Sequence, residues 1–192
     1  RYAPENHDRE FEWKDLIDCN NNELVANIGN FINRSLSFLN SKFENIIPSG
    51  ILDKNVEDTI NNAFNKVGES INNCEFVKST DELLKFGDFC NKYFNDNAPW
   101  VSYKENIKEC ENTIYNSIQL VNALRVLIKP FLPKTAIKIA NILNIQNEYD
   151  PNIELEESGE VKRLEDSWTF KTIPSNSKLN APEILFEKIL EN

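Results

Sequence analysis

The chain has 192 residues, of which 40% are hydrophobic, and its 21 Lys and Arg against 31 Asp and Glu give a formal net charge of −10. This length and composition predict a globular protein with a hydrophobic core and exclude disorder throughout the chain. One His (His7), five Gly and four Cys without a CxxC pair exclude most His-based triads, zinc ribbons and glycine-rich phosphate loops. We therefore expect no metal site and do not favour an independent metabolic enzyme.

The chain starts at Arg1 and contains no Met, so we interpret it as a piece of a longer protein. No apolar run reaches the roughly 18 residues that a membrane-spanning helix needs, since the best candidate, 121–132, is interrupted by Arg125 and Lys129. The N-terminus is polar and shows no secretory signal, and well-separated thiols are typical of reduced, cytosolic cysteines. We therefore predict a cytoplasmic protein that does not interact with a membrane.

The negative charge is concentrated at the two ends of the chain. Residues 1–22 carry a net charge of −3 and residues 148–192 a net charge of −6, whereas residues 23–147 carry only −1. A nearly neutral centre disfavours a basic stripe that follows an RNA backbone. It still allows a small contact that recognises bases.

The first half of the chain shows the apolar periodicity of helices. A short helix is predicted over Glu12–Cys19, followed by a long helix from about Asn22 to Phe43 with Asn21 or Asn22 as its N-cap. A second long helix is predicted over Asp53–Asn73, with Asp53 as the cap.

Three further helices are predicted in the second half. They cover Thr80–Asn95 with Thr80 as the cap, Lys104–Lys129, and a segment that starts at Pro133 and ends near Leu143. Beyond Gln146 the chain is polar and acidic, and a last amphipathic helix is predicted over Ala181–Leu190.

Short connections between these helices predict an all-α protein, an antiparallel bundle of about five main helices. We divide the chain into a lead-in (1–22), a helical bundle (23–146) and a C-terminal appendage (147–192) that packs back on the bundle.

Two features suggest a binding site. Asn30 and Arg34 are four residues apart, so they share one helix face and combine an amide with a guanidinium fork, a set suited to a base edge. An ordinary solvated face is the alternative interpretation. Trp100 follows the helix-breaking Pro99, where its ring could stack on an unpaired base; alternatively, it covers the end of the bundle.

Three segments resemble known sequences. Residues 23–34 (ELVANIGNFINR) and 91–100 (NKYFNDNAPW) resemble the ELxxNLGNFxNR and NxYxxxxAPW segments of methionyl-tRNA synthetases. Residues 123–133 (ALRVLIKPFLP) resemble a segment shared more widely by class I synthetases. The resemblance covers nearly the whole chain, least clearly residues 144–178.

This resemblance implies a helical domain that binds the CAU anticodon of methionine tRNA. In the family, the positions of Asn30 and Arg34 bond anticodon bases, chiefly the first cytosine, and the position of Trp100, beside Pro99, stacks on that base. Asn95 departs from the acidic residue of some members, which leaves its base contact open.

The resemblance also implies that the parent protein is a methionine-tRNA ligase that uses ATP with Mg²⁺. Its catalytic domain would precede Arg1, so we expect no catalytic residue and no cofactor in this chain. The expected partners are initiator and elongator methionine tRNA and the upstream catalytic domain. Two alternatives remain: the anticodon-binding domain of a valine, isoleucine, leucine or cysteine synthetase, and a non-catalytic helical interaction module.

Overall fold

The structure of the protein is a computed structural model that describes residues 5, 8, 10–145 and 168–190. These residues form seven α-helices and one π-helical segment. They contain no β-strand, and an isolated antiparallel bridge joins Ile46 to Lys178. The all-α prediction is confirmed. No helix within these residues is long and apolar enough to cross a membrane, and no cluster of His, Cys, Asp or Glu among them could hold a metal ion.

The first three helical segments form one continuous helix. α1 (Trp13–Asp18) passes into a π-helical segment (Cys19–Gly29), which passes into α2 (Asn30–Phe43), and the backbone stays right-handed helical at both junctions. The prediction of a helix start near Asn22 is therefore wrong. Because the helix continues through this position, there is no helix N-terminus here whose free backbone N–H groups need a cap.

The asparagines predicted as caps make tertiary hydrogen bonds. The Asn21 side chain donates to the carbonyl of Ile189 and accepts from its N–H, both at 2.9 Å. The neighbouring Asn20 amide donates to the carbonyl of Glu187 at 2.9 Å. Asn21 therefore contacts a distant segment of the chain instead of capping a helix.

Two long helices follow. α3 (Lys54–Asn72) agrees with the prediction to within one residue and follows Asp53, but the Asp53 carboxylate makes no cap bond and accepts from the side chains of Tyr93 and Asn112. α4 (Phe76–Asp96) begins one turn earlier than predicted. Thr80 lies inside it, where its hydroxyl donates to the carbonyl of Val77 at 2.8 Å. The predicted cap is therefore wrong, because the Thr80 hydroxyl bonds within the helix.

The region around Pro99 contains a helix that the periodicity did not predict. α5 (Pro99–Glu105) is a short helix that begins at the proline, and α6 (Ile107–Ile128) starts three residues later than predicted. The Asn106 side chain caps α6 by accepting from the Glu109 N–H. α7 (Pro133–Ile142) confirms the predicted fifth helix.

α6 forms the centre of the bundle. Sixteen of its 22 residues are buried, and it contacts α2, α3, α4, α5 and α7. Its buried amides bond connecting segments: Asn116 donates to the carbonyl of Ile51, and Gln119 exchanges two hydrogen bonds with the backbone of Ile173. The central helix therefore holds both the core and the loops around it.

Residues 181–190 are not helical, so the predicted last helix is wrong. This segment runs beside the π-helical segment, where its backbone bonds Asn20 and Asn21. Phe186 lies over Gly29, whose added Cβ would be 3.0 Å from the Phe186 ring. These tertiary bonds replace the internal bonds of a helix. The acidic stretch 147–166 lies outside the described residues.

A close approach of the chain to α6 gives a test of the core. A Cβ at Gly50 would lie 2.4 Å from the Cβ of Tyr115, a rigid position on the central helix. We expect Gly50→Ala to lower the free energy of unfolding by about 2 kcal/mol, because the loop must move away from the helix. Urea unfolding measures this. Ser49→Ala, at the exposed neighbouring position, is the control, and equal stability of the two variants would contradict the prediction.

Candidate nucleic-acid interface

Arg34 on α2 is held between α4 and α5. Its Cζ lies 4.8 Å from the centroid of the Phe94 ring and 5.7 Å from that of Trp100. Its Nη2 donates to Oδ1 of Asn95 at 2.8 Å. Two aromatic rings and one amide therefore fix the plane of the guanidinium while leaving other N–H groups for a ligand.

Trp100 is fixed at its base, and the Arg34 guanidinium lies over its ring. Pro99 is buried and begins α5, while Ala98 before it has a left-handed backbone with φ 36°. The Trp100 ring contacts the buried Phe94 with centroids 6.1 Å apart, and the residue remains 45% exposed. A rigidly held, half-exposed indole is suited to stacking against a planar ligand.

Asn30 lies one helical turn before Arg34 and contacts the same partner helix. Its Nδ2 donates to Oδ1 of Asn91 at 2.9 Å, and Asn91 lies one turn before Asn95 on α4. The structure thus brings together Asn30, Arg34, Asn95 and Trp100 along the contact of α2 with α4 and α5. Pro99 directly precedes Trp100 in the chain. Its carbonyl accepts a hydrogen bond from the thiol of Cys110.

A network of amides beside these residues was not predicted. Asn27 donates to the carboxylate of Asp88 at 2.8 Å, and Asn91 donates to the carbonyls of Asn27 and Gly87, each at 3.0 Å. Asn91 and Asn95 are four residues apart, as are Asn30 and Arg34. This shared spacing is the feature of the sequence that could have indicated the network.

Burial disfavours the ionised forms of two cysteines and one tyrosine on α4 and α6. Burial raises the pKa of the Cys90 thiol well above its usual value, and burial also raises that of Cys110. Burial, reinforced by the neighbouring Asp53 carboxylate, raises the pKa of Tyr93, whose hydroxyl donates to Asp53 at 3.0 Å. The described site is therefore equipped to bind, with a charged fork, amides and a ring.

Comparison with known proteins identifies the family. A model described as the anticodon binding domain of methionyl tRNA ligase matches residues 48–192. The chain belongs to this family. A second model, of class I tRNA synthetases (M), matches residues 1–36. Asn30 and Arg34 fall in the second match, and Asn95 and Trp100 in the first. The resemblance inferred from the sequence is confirmed over both segments.

Individual relatives support the assignment to methionyl-tRNA ligase. The chain is 35% identical, over 98% of its length, to the methionine-tRNA ligase of Pyrococcus abyssi, of which it spans 24%. It is 37% identical, over 76% of its length, to that of Bacillus cereus strain Q1, of which it spans 27%. The chain thus spans about a quarter of each of these relatives.

Solved structures show the same fold. The free form of Mycobacterium tuberculosis methionyl-tRNA synthetase is similar with a TM-score of 0.70 and 18% identity, over 95% of this chain and 36% of that one. A second structure of that enzyme, bound by methionyl-adenylate, has a TM-score of 0.70 and 19% identity over 92% of this chain and 34% of that one. The family model and the relatives at 35% and 37% identity favour the methionine family over the two alternatives left open by the sequence.

Proposed function

We propose that the chain binds the CAU anticodon of initiator and elongator methionine tRNA. The observation that carries the proposal is the Arg34 guanidinium, which lies over the adjacent Phe94 and Trp100 rings and is bonded to Asn95, one helical turn from Asn30. Such a group can donate to two acceptors on one planar edge, while the exposed Trp100 ring stacks on the same base.

The first cytosine of the anticodon suits this arrangement. Its Watson–Crick edge presents the N3 and O2 acceptors beside the N4 amine, so the Arg34 fork can donate to the acceptors and an amide oxygen can accept from the amine. The base is available because RNA loops can present unstacked bases to protein side chains. Trp100 supplies affinity for any base, and Asn30 and Arg34 supply the choice of base.

In a longer protein the domain would position the tRNA for aminoacylation. We assign residues 1–22 to the lead-in from the catalytic domain, residues 23–146 to the anticodon-binding bundle and residues 147–192 to an appendage that packs on it. The ligation itself would use ATP with Mg²⁺ and methionine in the catalytic domain, in the cytoplasm. This chain would supply the recognition of the tRNA.

Binding of anticodon stem-loops to the purified chain tests the proposal. We expect the CAU loop to bind about tenfold more tightly than loops with U, A or G at the first position, because a good base contact contributes roughly 1–3 kcal/mol. Fluorescence anisotropy with labelled stem-loops measures the affinities.

The salt dependence adds a second measurement. With a nearly neutral bundle we expect a shallow slope of affinity against salt concentration. Equal affinity for the four loops would contradict the proposal, and a steep slope would indicate attachment through the backbone.

A further inference from the structure

We propose that Asn91 is a positioning residue that fixes the orientation of the Asn30 amide and thereby makes the site select cytosine over uracil. The proposal rests on the proposed function, and it concerns a residue that the bundle places behind the base-binding side chains. In each amide the NH₂ group donates hydrogen bonds and the oxygen accepts them.

The orientation of the Asn91 amide is fixed by its surroundings. Its Nδ2 lies 3.0 Å from the carbonyl oxygen of Asn27 and 3.0 Å from that of Gly87. Main-chain carbonyls only accept hydrogen bonds, so this end of the amide must be the NH₂ group. Reversing the amide would place its oxygen against two carbonyl oxygens. The Oδ1 of Asn91 is therefore held on the other side.

The fixed Asn91 in turn orients Asn30. Asn91 Oδ1 only accepts, and Asn30 Nδ2 donates to it at 2.9 Å. The other end of the Asn30 amide is then its oxygen, which has no hydrogen-bond donor among the described residues. Asn30 also lines an open cavity of about 500 Å³, together with Asn33 and Phe186. The cavity is lined on its other side by the segment 183–188, and Oδ1 of Asn30 is, within the described part of the chain, an unpaired acceptor one helical turn from Arg34.

Helix packing makes this arrangement possible. A Cβ at Gly87 would lie 2.4 Å from Oδ1 of Asn27, so α4 approaches the first helix too closely for a larger residue. This approach brings the Asn91 amide within hydrogen-bond distance of both Asn27 and Asn30.

The unpaired Oδ1 of Asn30 is the acceptor that separates cytosine from uracil. Cytosine presents an amine at position 4, which can donate to Asn30 Oδ1, whereas uracil presents an oxygen there, which would face the amide oxygen without a hydrogen between them. A reversed Asn30 amide would donate to the uracil oxygen and remove the distinction. Leaving buried polar groups unpaired is what makes such a site reject the wrong ligand.

Two substitutions at Asn91 separate orientation from stability. Asn91→Ala removes the acceptor that holds Asn30, so the preference for a CAU over a UAU stem-loop should fall about tenfold. Asn91→Asp keeps an acceptor opposite Asn30 but places a carboxyl group against the two carbonyls, so it should lower the unfolding midpoint and retain the preference. Asn91→Ser serves in place of alanine if Asn91→Ala does not fold.

Asn116 provides a matched control. Like Asn91, it donates to two backbone carbonyls, of which one is four residues earlier in its own helix, and its Oδ1 accepts one hydrogen bond. Asn116→Ala should destabilise the bundle and leave the ratio of the two affinities unchanged.

The outcomes distinguish this inference from the proposed function. If the wild-type chain does not prefer the CAU loop to the UAU loop, the proposed function fails. If the wild type has this preference and Asn91→Ala keeps it, the positioning role is overturned. Loss of the preference in both Asn91→Ala and Asn91→Asp, in step with their stability, also overturns it. Loss in the alanine variant with retention in the aspartate variant supports it.

Discussion

Trp100→Ala is expected to weaken binding of the CAU stem-loop by roughly 5- to 150-fold, because stacking on an aromatic ring contributes about 1–3 kcal/mol per base. The indole is 45% exposed and its backbone is fixed by Pro99 at the start of α5. Since every base has a face that can stack, the loss should be similar for loops with any first base. Anisotropy titrations with the CAU and UAU loops measure both effects, and an acceptor-stem duplex reports on contacts elsewhere.

Two further variants serve as controls for this prediction. Trp100→Phe keeps an aromatic face and should recover most of the affinity. Trp13→Ala removes an indole that is 72% exposed at the start of the continuous helix that carries Arg34, and it should bind as the wild type does. Wild-type affinity of Trp100→Ala would mean that the ring only covers the end of the bundle.

Arg34→Lys is expected to remove most of the preference for cytosine while it retains the positive charge. A lysine ammonium cannot form the planar fork that donates to two acceptors on one base edge. It also cannot keep the geometry of the guanidinium that lies over the Phe94 and Trp100 rings and bonds Asn95. The ratio of affinities for the CAU and UAU loops, expected to be about ten in the wild type, should fall close to one, which corresponds to about 1.4 kcal/mol.

A second cation on the same helix is the control for charge. Lys42 on α2 also lies over an aromatic ring, with its Nζ 5.2 Å from the centroid of Tyr103. Lys42→Ala removes one positive charge and should leave the ratio of the two affinities unchanged. If Arg34→Lys discriminates between the loops as well as the wild type does, the fork is not the group that recognises the base.

The helices that could be predicted are those whose boundaries depend on local chemistry. α3 follows Asp53 and carries a regular apolar stripe, and α7 starts at Pro133, which suits a first helical position. Their buried faces repeat every three to four residues, so the sequence alone contains enough information.

The errors arose where a distant segment decides the local structure. Asn21 resembles a cap, but its amide bonds residue 189, and the segment 181–190 has a helical periodicity while its backbone bonds the first helix. Neither contact can be predicted from the residues within one or two helical turns of the position.

The candidate site was predicted in part for the same reason. The four-residue spacing placed Asn30 and Arg34 on one face, and the structure places both against α4. The role of Asn91 could not be predicted, because it depends on how α4 packs against the first helix. Asn27, Asn30 and Asn91 are the asparagine side chains that join these helices.

The amide network has a consequence for the conditions under which the domain works. The bonds that join the first helix to Asn91 and to residues 187 and 189 are largely between uncharged groups. Carboxamides do not take up or release protons, and mobile ions do not screen them as they screen exposed charges. Acidification or added salt would then leave the orientation of the Asn30 amide largely unchanged.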